Sequence, residues 1–451
     1  MTWQADGTAL RIARAIASRA RTGEEIEAFV ARGADTQILV RDRCVESVTG
    51  ADSGGAGVRV RHGGRVGFAH TNRLTGTALD QVVADARENA RHTRPSDDAV
   101  LPDPDGVPAA PLDLWREECT VLTLGDKVAH AIDLERLITA SPRVSGVKSV
   151  SWGDAAAESA VVSSLGIESY SRRTSCFLSG YVLGASHSGR RATSTAYTTG
   201  RCPADLDLPG AAREAVDALP DADRAPVAPG RLPVLLAPSA TAAFLAVVSG
   251  MLSRPAAHPD QALASAPRGS RVAAPCVTLM DDPTDPTSFG AARFDAEGLA
   301  TRRNLLIDRG CAADRLHDAA GGRRAGVASN GAALRAGYKS LPGPGARALA
   351  LAPGDLDPEA AVARLGHGFL VHSVTGLPAG ADPLTGRFSV AVSGRVVRGG
   401  ELAEHVPHTT LASTVPSLLQ GVRGVGSDSV PLPGTARGTT LLVSELSVGG
   451  R

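Results

Sequence analysis

Residues Leu232–Pro255 read LPVLLAPSATAAFLAVVSGMLSRP. The continuous apolar run Val234–Leu235–Leu236 predicts a short buried strand. Pro238 and Ser239 predict a helix start, with Ser239 as N-cap. Phe244, Val247, Val248, Met251 and Leu252 then recur at i, i+3, i+4, i+7 and i+8, the spacing of a helix with one apolar face, which Leu245 widens. The helix carries no His, Glu, Asp, Cys or Lys. Taken alone, the stretch is a strand feeding a core helix with no chemistry of its own.

The chain around it has 451 residues, 43% hydrophobic and 21% charged, enough for about three domains with large cores. Lys+Arg and Asp+Glu balance at 47 each, which argues against nucleic acid or a membrane surface as partner, since both draw on a basic excess. Aromatic residues are only 3%, too few for stacking platforms. The cysteines Cys44, Cys119, Cys176, Cys202, Cys276 and Cys311 are scattered and form no C-x-x-C pair. That spacing excludes a zinc ribbon and suits a reducing, cytoplasmic setting. No secretory h-region and no apolar run long enough for a membrane span is expected.

Outward from the central stretch, the fold class is α+β. N-terminal α/β-type units carry antiparallel sheets, and a β-rich, barrel-like domain follows. Residues 1–100 are expected to form a helix around Leu10–Arg21, strands at Glu25–Val30, Thr36–Val40, Cys44–Val48 and Gly57–Arg61, a Gly63–Gly64 hairpin turn, a return strand and a helix over Leu79–Ala90. Leu101–Leu112, with Pro102, Pro104, Pro108 and Pro111, reads as a linker. Residues 113–220 read as a helix over Leu124–Thr139, alternating strands and a helix near Ala211–Leu219, and Pro220–Pro229 as a second linker. The domain 230–451 begins with the quoted stretch. It continues with strands at Cys276–Met280, Thr301–Ile307, Ala312–Leu316, Gly368–Val374, Phe388–Val392, Arg395–Val397 and Thr439–Leu446, and a short helix at Thr414–Leu419.

No self-sufficient catalytic constellation stands out. His367 and His372, five apart, fall on opposite faces of a strand, as do His405 and His408 around Pro407. Asp281, Asp282 and Asp285 lack the ligand alternation of a calcium loop. Gly184–Gly189 holds Ser186 but misses the G-x-S-x-G spacing of a nucleophile elbow. Asp295 and Glu297, two apart beside Gly298, are a carboxylate pair of the kind used in acid–base work. With no nucleophile in view, a structural ion pair is the simpler role.

The pattern as a whole resembles the TldD/TldE (PmbA) metalloprotease family. Gly57–Val58–Arg59–Val60 and Gly64–Ala69 resemble its G-x-R-V and G-x-x-G-F-A blocks, and Phe294–Gly298 with Thr301 and Arg302 its F-D-D-E-G block. Asp308–Arg309–Gly310, Ser329–Asn330–Gly331 with Ala333–Arg335, Pro383–Ser389 and Leu446–Gly450 continue the match in order. The family has TldD-type subunits, with zinc on an H-E-x-x-x-H helix plus a Cys near the C-terminus, and TldE-type subunits without these groups. The resemblance puts Ala246, Val247 and Met251 where the motif residues would stand. Cys is absent from Gly424–Val430, and none follows Cys311.

The resemblance therefore implies a TldE-like, non-catalytic subunit with no metal or cofactor of its own. It implies a TldD-like partner bringing the zinc, in a heterodimer or higher hetero-oligomer, and an unfolded peptide as substrate. Asp295, Glu297, Gly298 and Thr301 are the expected peptide-contacting residues. The alternatives are a stand-alone peptide-binding homodimer, or a hydrolase using Ser186 or the Asp295/Glu297 pair.

Overall fold

Apolar and polar residues alternate over long stretches of the first 200 residues, and there the chain builds one sheet. The structure is a computed structural model that describes residues 5–184, 192–219, 228–253, 263, 265–432 and 434–449. Helix α1 (Thr8–Ala17) leads into the strands β1 (Glu25–Arg41) and β2 (Cys44–His62). These two form one continuous ribbon where four separate strands are expected from the sequence. Small residues such as Ala31, Gly33, Gly50 and Gly54 look like breaks in a one-dimensional pattern, yet they stay in register across the hairpin. Its tip, Asp42–Arg43, has positive φ at both residues, the geometry of a two-residue hairpin turn. Strand β3 (Arg65–Thr71) returns through the expected Gly63–Gly64 turn, and α2 (Gly76–His92) follows.

After a short helix, α3 (Glu117–Thr120), helix α4 spans Leu124–Thr139 as expected. It starts there because Thr123 and Asp126 form a reciprocal capping box. Then come β4 (Val144–Ser163), β5 (Glu168–Gly184), β6 (Ala192–Gly200) and α5 (Leu208–Asp217). All six strands join in the order β3-β2-β1-β4-β5-β6. Residues 1–100 and 113–220, expected as two domains, share this one sheet. β1 pairs with β4 from Glu27↔Ser163 to Val40↔Val150, which no linker composition reveals.

The helices cover one face of this sheet with two cores. One joins α1 and α2 to Ile26, Ala28, Val30, Val58 and Val60. The other joins α4 and α5 to Val150, Trp152, Cys176 and Leu178. By strand alternation the neighbouring residues Phe29, Gly57, Arg59 and Val161 face the other way. There the C-terminal region packs, with Phe29, Val161, Ile167 and Leu299 forming a small junction cluster.

The C-terminal region opens with β7 (Gly230–Leu236) and α6 (Pro238–Leu252). The N-cap is Ala237 and not the expected Ser239, because Pro238 takes the first helical position. Ser239 lies inside the helix, where its hydroxyl donates to the His372 carbonyl. An irregular segment follows, with β8 (Leu279–Asp281), β9 (Asn304–Asp308), β10 (Cys311–Ala312), α7 (Ala319–Ala325), β11 (Ala333–Leu334), β12 (Gly343–Pro344) and β13 (Leu349–Leu351). Beyond α8 (Ala361–Leu365) lie β14 (Gly368–Thr375), α9 (Leu377–Gly380), β15 (Arg387–Arg398), β16 (Glu401–Thr414), α10 (Val415–Gln420), β17 (Val422–Val425) and β18 (Leu441–Gly449).

The order β16-β15-β14-β7-β18-β17 closes through a β16–β18 pairing, so five of these strands make the expected barrel. The closing strand β16 escapes sequence reading because bulges interrupt its register with β15 and Pro407 sits inside it. No helix of the described residues is long and apolar enough to cross a membrane.

Candidate functional site

Helix α6 buries Thr241, Phe244, Leu245, Val248 and Met251 in the core it shares with the barrel strands. Phe244 tilts onto Phe388, with ring centroids 4.8 Å apart. Val247 and Leu252, expected on the buried face, are only half-buried, while Ser249 is buried on the flank. Ala246 is exposed, Val247 and Gly250 border the same side, and Met251 points inward onto Gly386. The positions singled out for metal chemistry thus offer a methyl, an isopropyl and a buried thioether. None is a nitrogen or oxygen donor, and they do not fit a zinc ion. Among the described residues no three His, Cys, Asp or Glu side chains form a group able to hold a metal. A cavity of about 330 Å³ adjoins Leu252 at the end of α6, floored by Val272, Leu306 and Ile307 and edged by Arg268, Arg315 and half-buried His317.

The expected peptide-contacting residues lie elsewhere, inside the junction between sheet and C-terminal region. Asp295, Glu297 and Thr301 are at most 5% exposed. Glu297 accepts a hydrogen bond from Arg59 Nη2 at 2.9 Å and another from the Ala319 amide at 2.8 Å. Arg59 also donates through Nε to Glu27 at 2.9 Å, and Arg335 Nη2 donates to the same carboxylate at 2.7 Å. The Arg335 guanidinium carbon sits 4.6 Å from the centroid of the Phe29 ring, a cation–π contact. Two sheet residues, Glu27 and Arg59, are thereby locked to two residues of the C-terminal region.

Asp295 holds the turn that presents Glu297, accepting from the amides of Glu297, Leu299 and Ala333. Thr301 donates to the Ala292 carbonyl. At Gly298 φ is +85°, and a Cβ there would meet Ile167 Cγ2 at 2.6 Å. These four residues serve an internal lock. In this arrangement they present no surface to a peptide, and the Asp295/Glu297 pair makes a poor reactive couple. Ser186 lies outside the described residues. Of the histidines, His367 and His408 are exposed, His372 is half-buried and His405 is buried within β16. Asp281, from the acidic turn, is buried and accepts the Arg347 and Ala348 amides.

Burial pushes Glu27 upward, but the charges of Arg59 and Arg335 outweigh it and hold the carboxyl below its usual range. For Glu297 burial wins over Arg59, and its pKa is raised. Burial, reinforced by the charge of Glu297, pushes Asp295 up to about 7, and burial pushes Asp281 up to about 6. An unfolded Asp titrates near ~4. Between there and about pH 7 the folded chain holds more protons than the unfolded one, so the stability contributed by Asp295 is complete below ~4 and lost as pH rises through 7. The difference in unfolding midpoint between the native chain and Asp295→Asn is therefore expected to be larger at pH 5 than at pH 8. A difference that grows with pH would contradict this assignment.

Sequence reading missed the convergence of Glu27 with Arg335 and that of Arg173, Arg201 and Arg347 beside the 281–290 loop. For the first a signal existed, since Arg59, Glu297 and Arg335 all sit in the family-like blocks. No local pattern marks the second.

Known proteins agree with this architecture. The model of the PmbA/TldA metallopeptidase domain 1 matches residues 26–90, that of the central domain residues 117–219, and that of the C-terminal domain residues 229–450. The chain belongs to the PmbA/TldD metallopeptidase family. It is similar to Metalloprotease PmbA of Escherichia coli O157:H7, at 24% identity over 440 residues, covering 95% of this chain and 94% of that protein. A Metalloprotease of Methanothermobacter thermautotrophicus is 29% identical over 160 residues, 36% of this chain and 35% of that one. Among solved structures, TldE from Thermococcus kodakarensis has the same fold, with a TM-score of 0.84 at 20% identity, covering 99% of this chain and 100% of that one.

Proposed function

We propose that the chain is a TldE-like, non-catalytic subunit of a heteromeric zinc peptidase. It binds unfolded peptide jointly with a TldD-like partner that carries the zinc, in the cytoplasm. The observation behind this reading is the helix after β7. Its side chains at the motif positions are Ala246, Val247 and Met251, and no cysteine follows Cys311 to serve as a further ligand. With no protein ligands to hold a metal, this chain would not generate the activated water that such a hydrolysis needs. Its contribution is to hold peptide, through main-chain hydrogen bonding to an extended strand. Removal of leader segments from ribosomally made peptide products is one setting that suits such a complex.

The test is a comparison of three preparations on a labelled, unfolded peptide: the pure chain, a TldD-like chain, and the two co-expressed. The pure chain is expected to release no fragments with or without added zinc. The co-expressed pair is expected to cleave, to elute as one complex, and to stop on chelation. Chelator-sensitive cleavage by the pure chain would refute the non-catalytic assignment. A stable homodimer that binds peptide and ignores the TldD-like chain would refute the partnership.

A further inference from the structure

Three arginines meet where the exposed part of the sheet face runs up against the C-terminal region. Arg173 stands on β5, on the side away from the helices, and its Nη2 donates to the Phe289 carbonyl at 3.0 Å. Arg201, just past β6, donates through Nη2 to the adjacent Ser288 carbonyl at 3.2 Å. Arg347 comes from the segment leading into β13, where its own carbonyl lies against Gly290. Consecutive carbonyls thus fix two guanidinium groups side by side, and the charge of Arg347 acts on Arg173.

Among the described residues none of the three forms an ion pair with a carboxylate within 4.0 Å. That is unusual for arginines so little exposed, because a desolvated charge is costly unless paired. Burial lowers the pKa of Arg173 to about 10, and the charges of Arg201 and Arg347 add to the effect. The carboxyls that act on Arg347 from beyond ion-pair distance are Asp295, which burial pushes up to about 7, and Asp281, which burial pushes up to about 6. Asp205 and Asp113 act on Arg201 at longer range, against the like charge of Arg116. None of the unbonded nitrogens of the three is sealed from solvent without a partner. Positive charge is therefore concentrated and reachable, with Arg173 and Arg201 fixed in place by their carbonyl partners.

We propose that Arg173, Arg201 and Arg347 form an anion-binding site, and that its ligand is a carboxylate of a bound peptide. This rests on the peptide-binding reading above. What favours a peptide over another anion is the surface leading away from the site. Beyond Arg173 the same face of β5 presents Ser175, Phe177, Ser179 and Tyr181, and β6 adds Tyr197. Phe177 stacks on Tyr197 at 6.0 Å, and Tyr181 and Tyr197 are 42% and 38% exposed. Hydroxyl groups and aromatic faces suit an extended main chain with apolar side chains, and the cation beside them, Lys148, has its Nζ over the Tyr181 ring at 5.3 Å, eight residues along β5 from Arg173. A chain lying there would set a carboxylate, terminal or from Asp or Glu, against the guanidinium groups, where planar forks pair with it in two-point fashion.

The experiment measures fluorescence anisotropy of N-terminally labelled, unstructured octapeptides on the full chain. One peptide has a free C-terminal carboxylate, one is amidated, and one is amidated but carries an internal Glu. The free acid is expected to bind roughly tenfold or more tightly than the neutral amide, as a charge-assisted hydrogen bond predicts. The Arg173→Gln/Arg347→Gln variant is expected to abolish the preference while keeping its circular dichroism spectrum. Preference for the free acid alone identifies the terminus as ligand, and equal preference for the Glu peptide identifies any carboxylate.

A second measurement separates this site from the peptide reading. Sodium acetate, compared with sodium chloride at equal ionic strength, is expected to raise the unfolding midpoint of the native chain and not of the variant. Equal binding of acid and amide overturns the arginine site and leaves the peptide reading standing. An acetate effect without binding of any peptide upholds the anion site and overturns its peptide ligand. Absence of both effects overturns the proposal.

Discussion

Arg59→Met is expected to cost about 3–5 kcal/mol of stability, the range for breaking a buried ion pair from one side. Arg59 is 6% exposed, and it stands between Glu27 and Glu297, which are 1% and 0% exposed. Methionine fills much of the volume but, among the described residues, leaves Glu297 with only the Ala319 amide as partner and Glu27 with only Arg335. Two carboxylates would then share a desolvated junction with one guanidinium. Urea unfolding followed by fluorescence reads the effect, as a shift of the first transition. Because the harm comes from uncompensated charge and not from a lost attraction, the double change Arg59→Met/Glu297→Gln, which leaves Glu27 paired with Arg335, is expected to recover much of it. A single variant within ~0.5 kcal/mol of the native chain, the size of an ordinary surface change, would show that the junction is wet and the lock weak.

Phe244→Ala is expected to cost a comparable 3–5 kcal/mol, through the cavity it leaves as much as through lost transfer energy. Phe244 is 3% exposed and contacts Phe388 across the barrel core, so neither the helix nor the closed strands can collapse freely into the gap. Ala246→Ser, two residues on but exposed, is expected to change stability by less than ~0.5 kcal/mol. The pair separates the two sides of α6: one holds the barrel and the other is free of structural duty. Equal losses at both positions would show that the outward side is packed as well.

The chain's periodicities made parts of this fold readable. The helix over about Leu124–Thr139 was legible because helix signals are local, and the barrel class followed from short strands punctuated by glycine. What stayed hidden is non-local. Nothing near Val40 or Val150 says that they pair, so the one sheet shared by residues 1–100 and 113–220 was not foreseen. The site reading met the same limit. Asp295, Glu297 and Thr301 drew notice as polar residues in a recognisable block, but their partner Arg59 lies 238 residues from Glu297. In space, the blocks that resemble the family are mostly joints. Gly57, where a Cβ would lie 2.3 Å from the Tyr338 carbonyl, admits the C-terminal region against the sheet. Pro383–Ser389 supplies Gly386 and Phe388 to pack on α6. Such residues report how the architecture is assembled more directly than what it binds.

The lock between Glu27 and Arg335 also sets an order of events during synthesis. The two residues are 308 positions apart, an interval of roughly 15–60 s at ~5–20 residues per second. Through that time the strands β1 and β2 can zip together, while the sheet face destined for the C-terminal region stays open. Glu27 and Arg59 sit on that open face, and charged groups there keep a half-made sheet from recruiting a second nascent chain. The residues that are costly to bury at the end are the ones that guard the face while it waits.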